Sequence, residues 1–239
     1  MTLIDGFLDL LLGSACVGCG RAGRPLCRSC RTTLPAEAHV AWPTPTPAGL
    51  APPFATGEYA DLLRALVVSH KERRAFALTR PLGDLLAISV RSALAELVPG
   101  RPADPVLLVP VPSRPAAVRE RGHDPTLAMA RRAARGLRAA GGSAYADPLL
   151  RLRPGVADQA GRDVAQRAAN LTGSMACPSA ALDRVGRRVA AAHVVVCDDV
   201  VTTGATAREA QRALAASGIR TLAVAAVAAT RRRSAPTRR

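Results

Sequence analysis

The chain has 239 residues and carries 33 Lys and Arg against 18 Asp and Glu, for a formal net charge of +15. That length suits one main domain with a small appendage, and it is ample for a core that needs no disulfides. A hydrophobic fraction of 49% excludes a wholly disordered chain, and 3% aromatics argue against recognition built on stacked rings. No apolar run reaches the ~18–20 residues of a bilayer span. The positive charge is nearly all arginine, with Lys71 the single lysine, and it is spread along the chain as in Arg131-Arg132-Ala133-Ala134-Arg135. The plain reading is a solvated Arg-rich surface, and the sharper one is attraction for polyanions.

Leu3 to Leu12 reads as a short amphipathic helix. Asp5 and Asp9 interrupt it and no basic segment precedes it, the reverse of a secretory signal. The expectation is therefore a cytoplasmic protein with reduced thiols and no membrane insertion. Two knuckles follow, Cys16-x-x-Cys19 and Cys27-x-x-Cys30. Four thiolates at this spacing suit tetrahedral Zn²⁺ in a closed, structural site. Disulfide or redox pairing is the competing reading, disfavoured because no strand is expected before either motif. Cys177 and Cys197 read as small buried hydrophobes, and His39 as a surface residue.

The segment from Ala41 to Pro53 holds so much proline that a semi-rigid connector or edge segment is expected, not a helix or central strand. Helical spacing runs from Tyr59 to Val68, from Leu82 to Leu97 and from Thr126 to Ala140. Val106 to Val109, Val189 to Cys197 and Thr221 to Ala229 read as buried parallel strands, and Leu149 to Leu152 as a possible short one. Ala205 to Ala216 is a helix stopped by Gly218. The strand–helix–strand alternation predicts an α/β fold with a mainly parallel sheet flanked by helices. The expected organisation is a helix and four-cysteine zinc module over 1–40, a Pro-rich connector over 41–57, a main domain over 58–230 and a basic tail over 231–239.

The segment Asp198-Asp199-Val200-Val201-Thr202-Thr203-Gly204-Ala205-Thr206 carries the chemistry. A buried strand runs into two acids, then a threonine- and glycine-bearing turn, then a helix start. Ligands of parallel α/β sheets sit at the carboxyl ends of strands. A helix N-terminus offers free N–H groups to a phosphate, while adjacent acids suit a ribose diol, with Mg²⁺ nearby. The parts together describe a ribose 5-phosphate cradle. A helix cap with a turn is the bland alternative, but one Asp would serve for that. No Walker loop and no Gly-x-Gly-x-x-Gly after a strand occurs.

This segment resembles the 5-phosphoribosyl-1-pyrophosphate (PRPP) signature of type I phosphoribosyltransferases. The whole chain is similar to the ComF/GntX-like competence family, whose order is matched by the Cys pairs, Tyr59 to Lys71, Val109-Pro110-Val111-Pro112, Arg121-Gly122-His123, the segment with Gln159, Arg167 and Asn170, and the PRPP signature. The chain departs at Arg121-Gly122-His123-Asp124-Pro125, where that family usually reads Arg-Gly-Phe-Asn-Gln, and around Lys71-Glu72-Arg73-Arg74, where the family's pattern of Lys, an apolar residue, any residue and Gly is only partly kept.

The resemblance implies a type I phosphoribosyltransferase-like sheet with a small N-terminal zinc module of four cysteines. It implies that Asp198 and Asp199 hold the ribose diol in catalysis and that Thr202, Thr203, Gly204, Ala205 and Thr206 bind the PRPP 5-phosphate. Val111, Pro112, Ser113 and Arg114 would form the pyrophosphate loop. Arg121, Arg162 and Arg167 would be further pyrophosphate or hood contacts, the hood being residues 151–170. The expected partner is PRPP with Mg²⁺, and the expected reaction moves phosphoribosyl to a nitrogen acceptor. The family name also implies a role in DNA uptake. The alternative is then a non-catalytic accessory protein that binds single-stranded DNA or a helicase-like partner.

Overall fold

The computed structural model describes residues 15–73, 75–100, 104–153, 172–187 and 191–230. The expected N-terminal helix, Arg162 and Arg167 of the expected hood, and the basic tail lie outside these residues.

Helix α1 (Arg28–Thr32) belongs to the cysteine segment. Strands β1 (His39–Val40) and β2 (Pro53–Ala55) follow, then α2 (Asp61–Glu72), a 3₁₀ turn (Phe76–Leu78) and α3 (Thr79–Leu97). Next come β3 (Val106–Pro110), α4 (Pro115–Arg121), α5 (Pro125–Ala139) and β4 (Ala144–Ala146). The short β5 (Arg151–Leu152) and β6 (Met175–Ala176) pair antiparallel as a separate ribbon. Helix α6 (Ser179–Gly186), β7 (His193–Val201), α7 (Ala205–Ala215) and β8 (Thr221–Ala229) complete the described chain.

The main sheet has the order β1-β2-β8-β7-β3-β4, parallel throughout except for β1. It is covered on both faces, which is why its central strands read as continuous apolar runs. Side chains alternate between the faces. Leu108, Val195, Cys197, Ala225 and Val227 join one cluster with residues of α2, α3 and α5. Leu107, Val109, Val194, Val196 and Val224 join the other with residues of α7 and Leu50. Strand β8 is built largely of alanine, so the layers approach closely, and Ser89 of α3 donates its hydroxyl to the Ala226 carbonyl at 2.7 Å.

Two expectations differ from the structure. Strand β7 starts later than expected and runs on through both acids to Val201, because Asp198, Val200 and Val201 still pair with β8. The proline-rich segment contributes β2, which lies between β1 and β8. Pro53 is tolerated there because it is the first residue of the strand, where its missing N–H removes little, while its carbonyl accepts from Ala41 at 2.7 Å.

The connections decide where a ligand can sit. From β3 the chain passes through α5 to β4, toward one edge. From β7 it passes through α7 to β8, toward the other. The loops after β3 and β7 therefore diverge from neighbouring strands, which opens a crevice at their carboxyl ends.

Candidate functional site

Both motifs of the sequence reading lie at this crevice. Residues 111–114 leave β3 and residues 202–204 leave β7. Val111 N–H donates to the Cys197 carbonyl at 2.9 Å, so the two exits begin side by side.

Asp198 and Asp199 occupy the last part of β7. Asp199 N–H donates to Asp198 Oδ1 at 2.8 Å, and Val200 N–H donates to Asp199 Oδ1 at 2.9 Å. Burial and then the neighbouring Asp199 carboxylate push the Asp198 pKa well above the ordinary range. A strand end that crowds two carboxylates calls for hydrogen-bond donors or a cation, and would repel a phosphate at the same spot. One cation is supplied from within. Lys71, at the end of α2, donates Nζ to Asp199 Oδ2 at 2.8 Å across 128 positions of sequence. Burial works against the Lys71 charge, but Asp199 outweighs it and holds the pKa above the usual value.

The threonine–glycine turn follows. Thr202 is exposed, and Thr203, Ala205 and Thr206 are half-buried. Gly204 caps α7 at φ 74°, a left-handed conformation that glycine adopts without strain. A Cβ there would lie 2.9 Å from Leu50 Cδ2 and 3.0 Å from Pro43 Cγ, so the proline-rich segment is pressed against the turn. That segment is clamped to α7 by Arg208 Nε to the Ala48 carbonyl at 2.8 Å and by Gln211 to Gly49 and Ala51, both at 2.9 Å. The first helical hydrogen bond is Arg208 N–H to the Gly204 carbonyl. The Thr206 and Ala207 N–H groups, ahead of it, have no acceptor among the described residues, as at any helix start.

On the facing loop, Val111 is buried, Pro112 and Ser113 are half-buried and Arg114 is exposed. Ser113 Oγ donates to Asp124 Oδ1 at 3.0 Å, and the same oxygen accepts Leu127 N–H at 3.1 Å. Residues 123–125 have structural roles of their own. Asp124 is the N-cap of α5 and Pro125 its first residue, a favoured combination. His123 packs against two other rings. Its ring meets Phe76 edge-on at 4.6 Å and His70 at 5.6 Å. His70 is buried, which with His123 pushes its pKa down to about 4. Arg121 pairs with Glu72 at 3.1 Å, one residue beyond Lys71.

Lys71, His70 and Glu72 were not assigned to the site from sequence. The available signals were the lone lysine at a helix end in a chain otherwise rich in arginine and the partly kept lysine pattern at Lys71-Glu72-Arg73-Arg74.

The cysteine segment forms the second candidate centre. The sulfurs of Cys16, Cys19, Cys27 and Cys30 all lie within 4.8 Å of one another. Tetrahedral zinc with Zn–S of about 2.3 Å needs sulfurs about 3.8 Å apart. Cys19 Sγ and Cys27 Sγ are 3.7 Å apart, so the four residues fit a structural metal ion such as zinc. Burial opposes ionisation of Cys16, but the N–H groups of Cys27, Cys19 and Gly18 aimed at its sulfur prevail and bring its pKa to about 6. A Cβ on Gly18 would lie 2.9 Å from Cys30 Sγ and 2.8 Å from Leu62 Cδ1, so the knuckle sits directly on α2. Val17, Leu26 and Leu34 extend that contact into the main core. His39 is exposed on β1 and stands apart from the cluster, and Cys197 is fully buried.

The roots of the expected hood are held by α7. Buried Glu209 accepts Met175 N–H at 2.8 Å, and Arg212 donates to the Met175 carbonyl at 3.0 Å. No helix among the described residues is long and apolar enough to cross a membrane. No protein-family model matches the chain, and no curated protein matches it.

Proposed function

We propose that this is a PRPP-binding, type I phosphoribosyltransferase-like protein of the ComF/GntX-like kind, which transfers phosphoribosyl to a nitrogen acceptor and releases pyrophosphate. One observation carries the reading. The acidic doublet lies in the last part of β7 and the threonine–glycine turn leaves that strand at the divergence of β3 and β7, with the Val111–Arg114 loop beside them.

In this reading the 5-phosphate sits on the α7 N-terminus, held by the Thr206 and Ala207 N–H groups and the Thr202, Thr203 and Thr206 hydroxyls. The ribose diol donates to Asp198 and Asp199, acceptors that a phosphate would avoid. The acceptor nitrogen bonds to C1 of the sugar as the C1–O bond breaks. The electron pair of that bond leaves with pyrophosphate, and the nitrogen loses a proton. Positive charge gathers on the sugar and negative charge on the leaving group, so the protein's contribution is electrostatic. The Val111–Arg114 loop presents backbone and Arg114 to pyrophosphate, while Lys71 holds the Asp199 carboxylate in place through its 2.8 Å ion pair. Mg²⁺, when bound with PRPP, neutralises leaving-group charge. The oxygen-rich doublet at the crevice fits the neighbourhood of such a hard cation. Zinc in the four-cysteine cluster is structural, because four thiolates leave no position for water.

The test is release of pyrophosphate from PRPP and Mg²⁺ in the presence of a panel of bases and amines. Acceptor-dependent release supports the reading, and its absence across the panel with no PRPP binding removes it.

A further inference from the structure

Strand β4 is the sheet edge farthest from β1. Alongside it, α5 and α6 enclose a recess of about 190 Å³ with an apolar floor that includes Leu107, Ala134 and Val185. Arg131, Arg135 and Arg138 line it from α5, and Tyr145 from β4. The spacing i, i+4, i+7 places the three arginines on one face of the helix.

Among the described residues no acid neutralises them. Arg131 and Arg135 have no hydrogen-bond or ion-pair partner among the described residues, and Arg138 donates only to the neutral Ala144 carbonyl. The single acid at the recess, Asp147, is engaged through both oxygens by Arg184. Some arginines on other faces do find acids. Arg132, next in sequence to Arg131, reaches Asp84 at 2.6 Å, and Arg121 and Arg212 have Glu72 and Glu209. What sets the recess apart is convergence: three guanidiniums from one helix face line a single apolar floor, with no acid shown to neutralise them among the described residues.

We propose that this recess binds a single-ring nucleoside monophosphate at a site separate from the β3/β7 crevice. The guanidinium forks match phosphate oxygens. Tyr145 is 42% exposed beside the apolar floor and offers a face to a planar ring. The volume lies below the roughly 300 Å³ at which whole drug-sized ligands are enclosed. It accommodates one ring and its phosphate contacts, with the ribose spanning the open side, and it is too small for a dinucleotide. The proposal is independent of the PRPP reading, because it uses no residue of the crevice.

The test is calorimetric titration of the full chain with UMP, with uridine and inorganic phosphate as controls. Arg131→Glu/Arg135→Glu changes two exposed side chains, and an unaltered unfolding midpoint verifies its fold. The expected result is UMP binding tighter than either control and at least about tenfold weaker in the double variant, since two charge-assisted contacts are reversed. Tyr145→Ser should weaken UMP binding and leave phosphate binding unchanged. UMP affinity unaltered by the charge reversal, phosphate binding as tight as UMP, or a short single-stranded oligonucleotide that binds these arginines more tightly than UMP would each overturn the proposal.

Discussion

Lys71→Met removes the cation that α2 supplies to the acidic doublet. The pair is 2.8 Å long, with Lys71 39% and Asp199 11% exposed at their side chains. At that distance the gross attraction is about 6 kcal/mol for an effective dielectric near 20, and about 1.5 kcal/mol in water. Desolvation offsets part of it, and the open lysine side moves the pair toward the screened limit. A net loss of about 2 kcal/mol follows, because Asp199 is left largely enclosed beside Asp198 without its Lys71 partner. For a domain of this size that lowers the unfolding midpoint by about 4–8 °C. The Lys71 pKa is raised by folding. Its contribution is thus complete below the free lysine value of about 10.4 and fades as pH rises through the folded value. Thermal unfolding followed by circular dichroism at pH 7 and above pH 10 measures this. A variant as stable as the parent at pH 7, or a deficit that widens in alkali, would refute the reasoning.

Gly204→Ala should cost about 2 kcal/mol or more, from the left-handed backbone and from contact with Leu50 and Pro43, and denaturant unfolding reads it. Asp124→Ala removes the α5 cap and the Ser113 bond, and chemical denaturation should show a loss of about 1 kcal/mol. Chelation under native conditions should release one zinc per chain with four thiols becoming reactive, and should lower the unfolding midpoint because the knuckle packs on α2. Metal analysis with thiol titration checks it, and release without destabilisation would contradict the packing argument.

The sheet was readable because its strands are buried on both faces and leave unbroken runs such as Val106 to Val109 and Thr221 to Ala229. Strand ends were less readable. Asp198 lies in β7 because of its pairing with β8, which composition does not reveal. The role of the proline-rich segment was hidden for a similar reason. Its position is fixed by Arg208 and Gln211, some 160 residues away in sequence. The acidic doublet and the threonine turn could be singled out since a strand, two acids and a helix start are contiguous. Lys71 could not be placed with them, because its partner lies on a distant strand and only the fold brings α2 across the strand ends.

Calorimetric titration of PRPP with Mg²⁺ into the parent and into Asp198→Asn/Asp199→Asn tests the central claim most directly. The account predicts saturable one-site binding to the parent and none to the double variant with its fold intact. Equal affinity in the two proteins would contradict it.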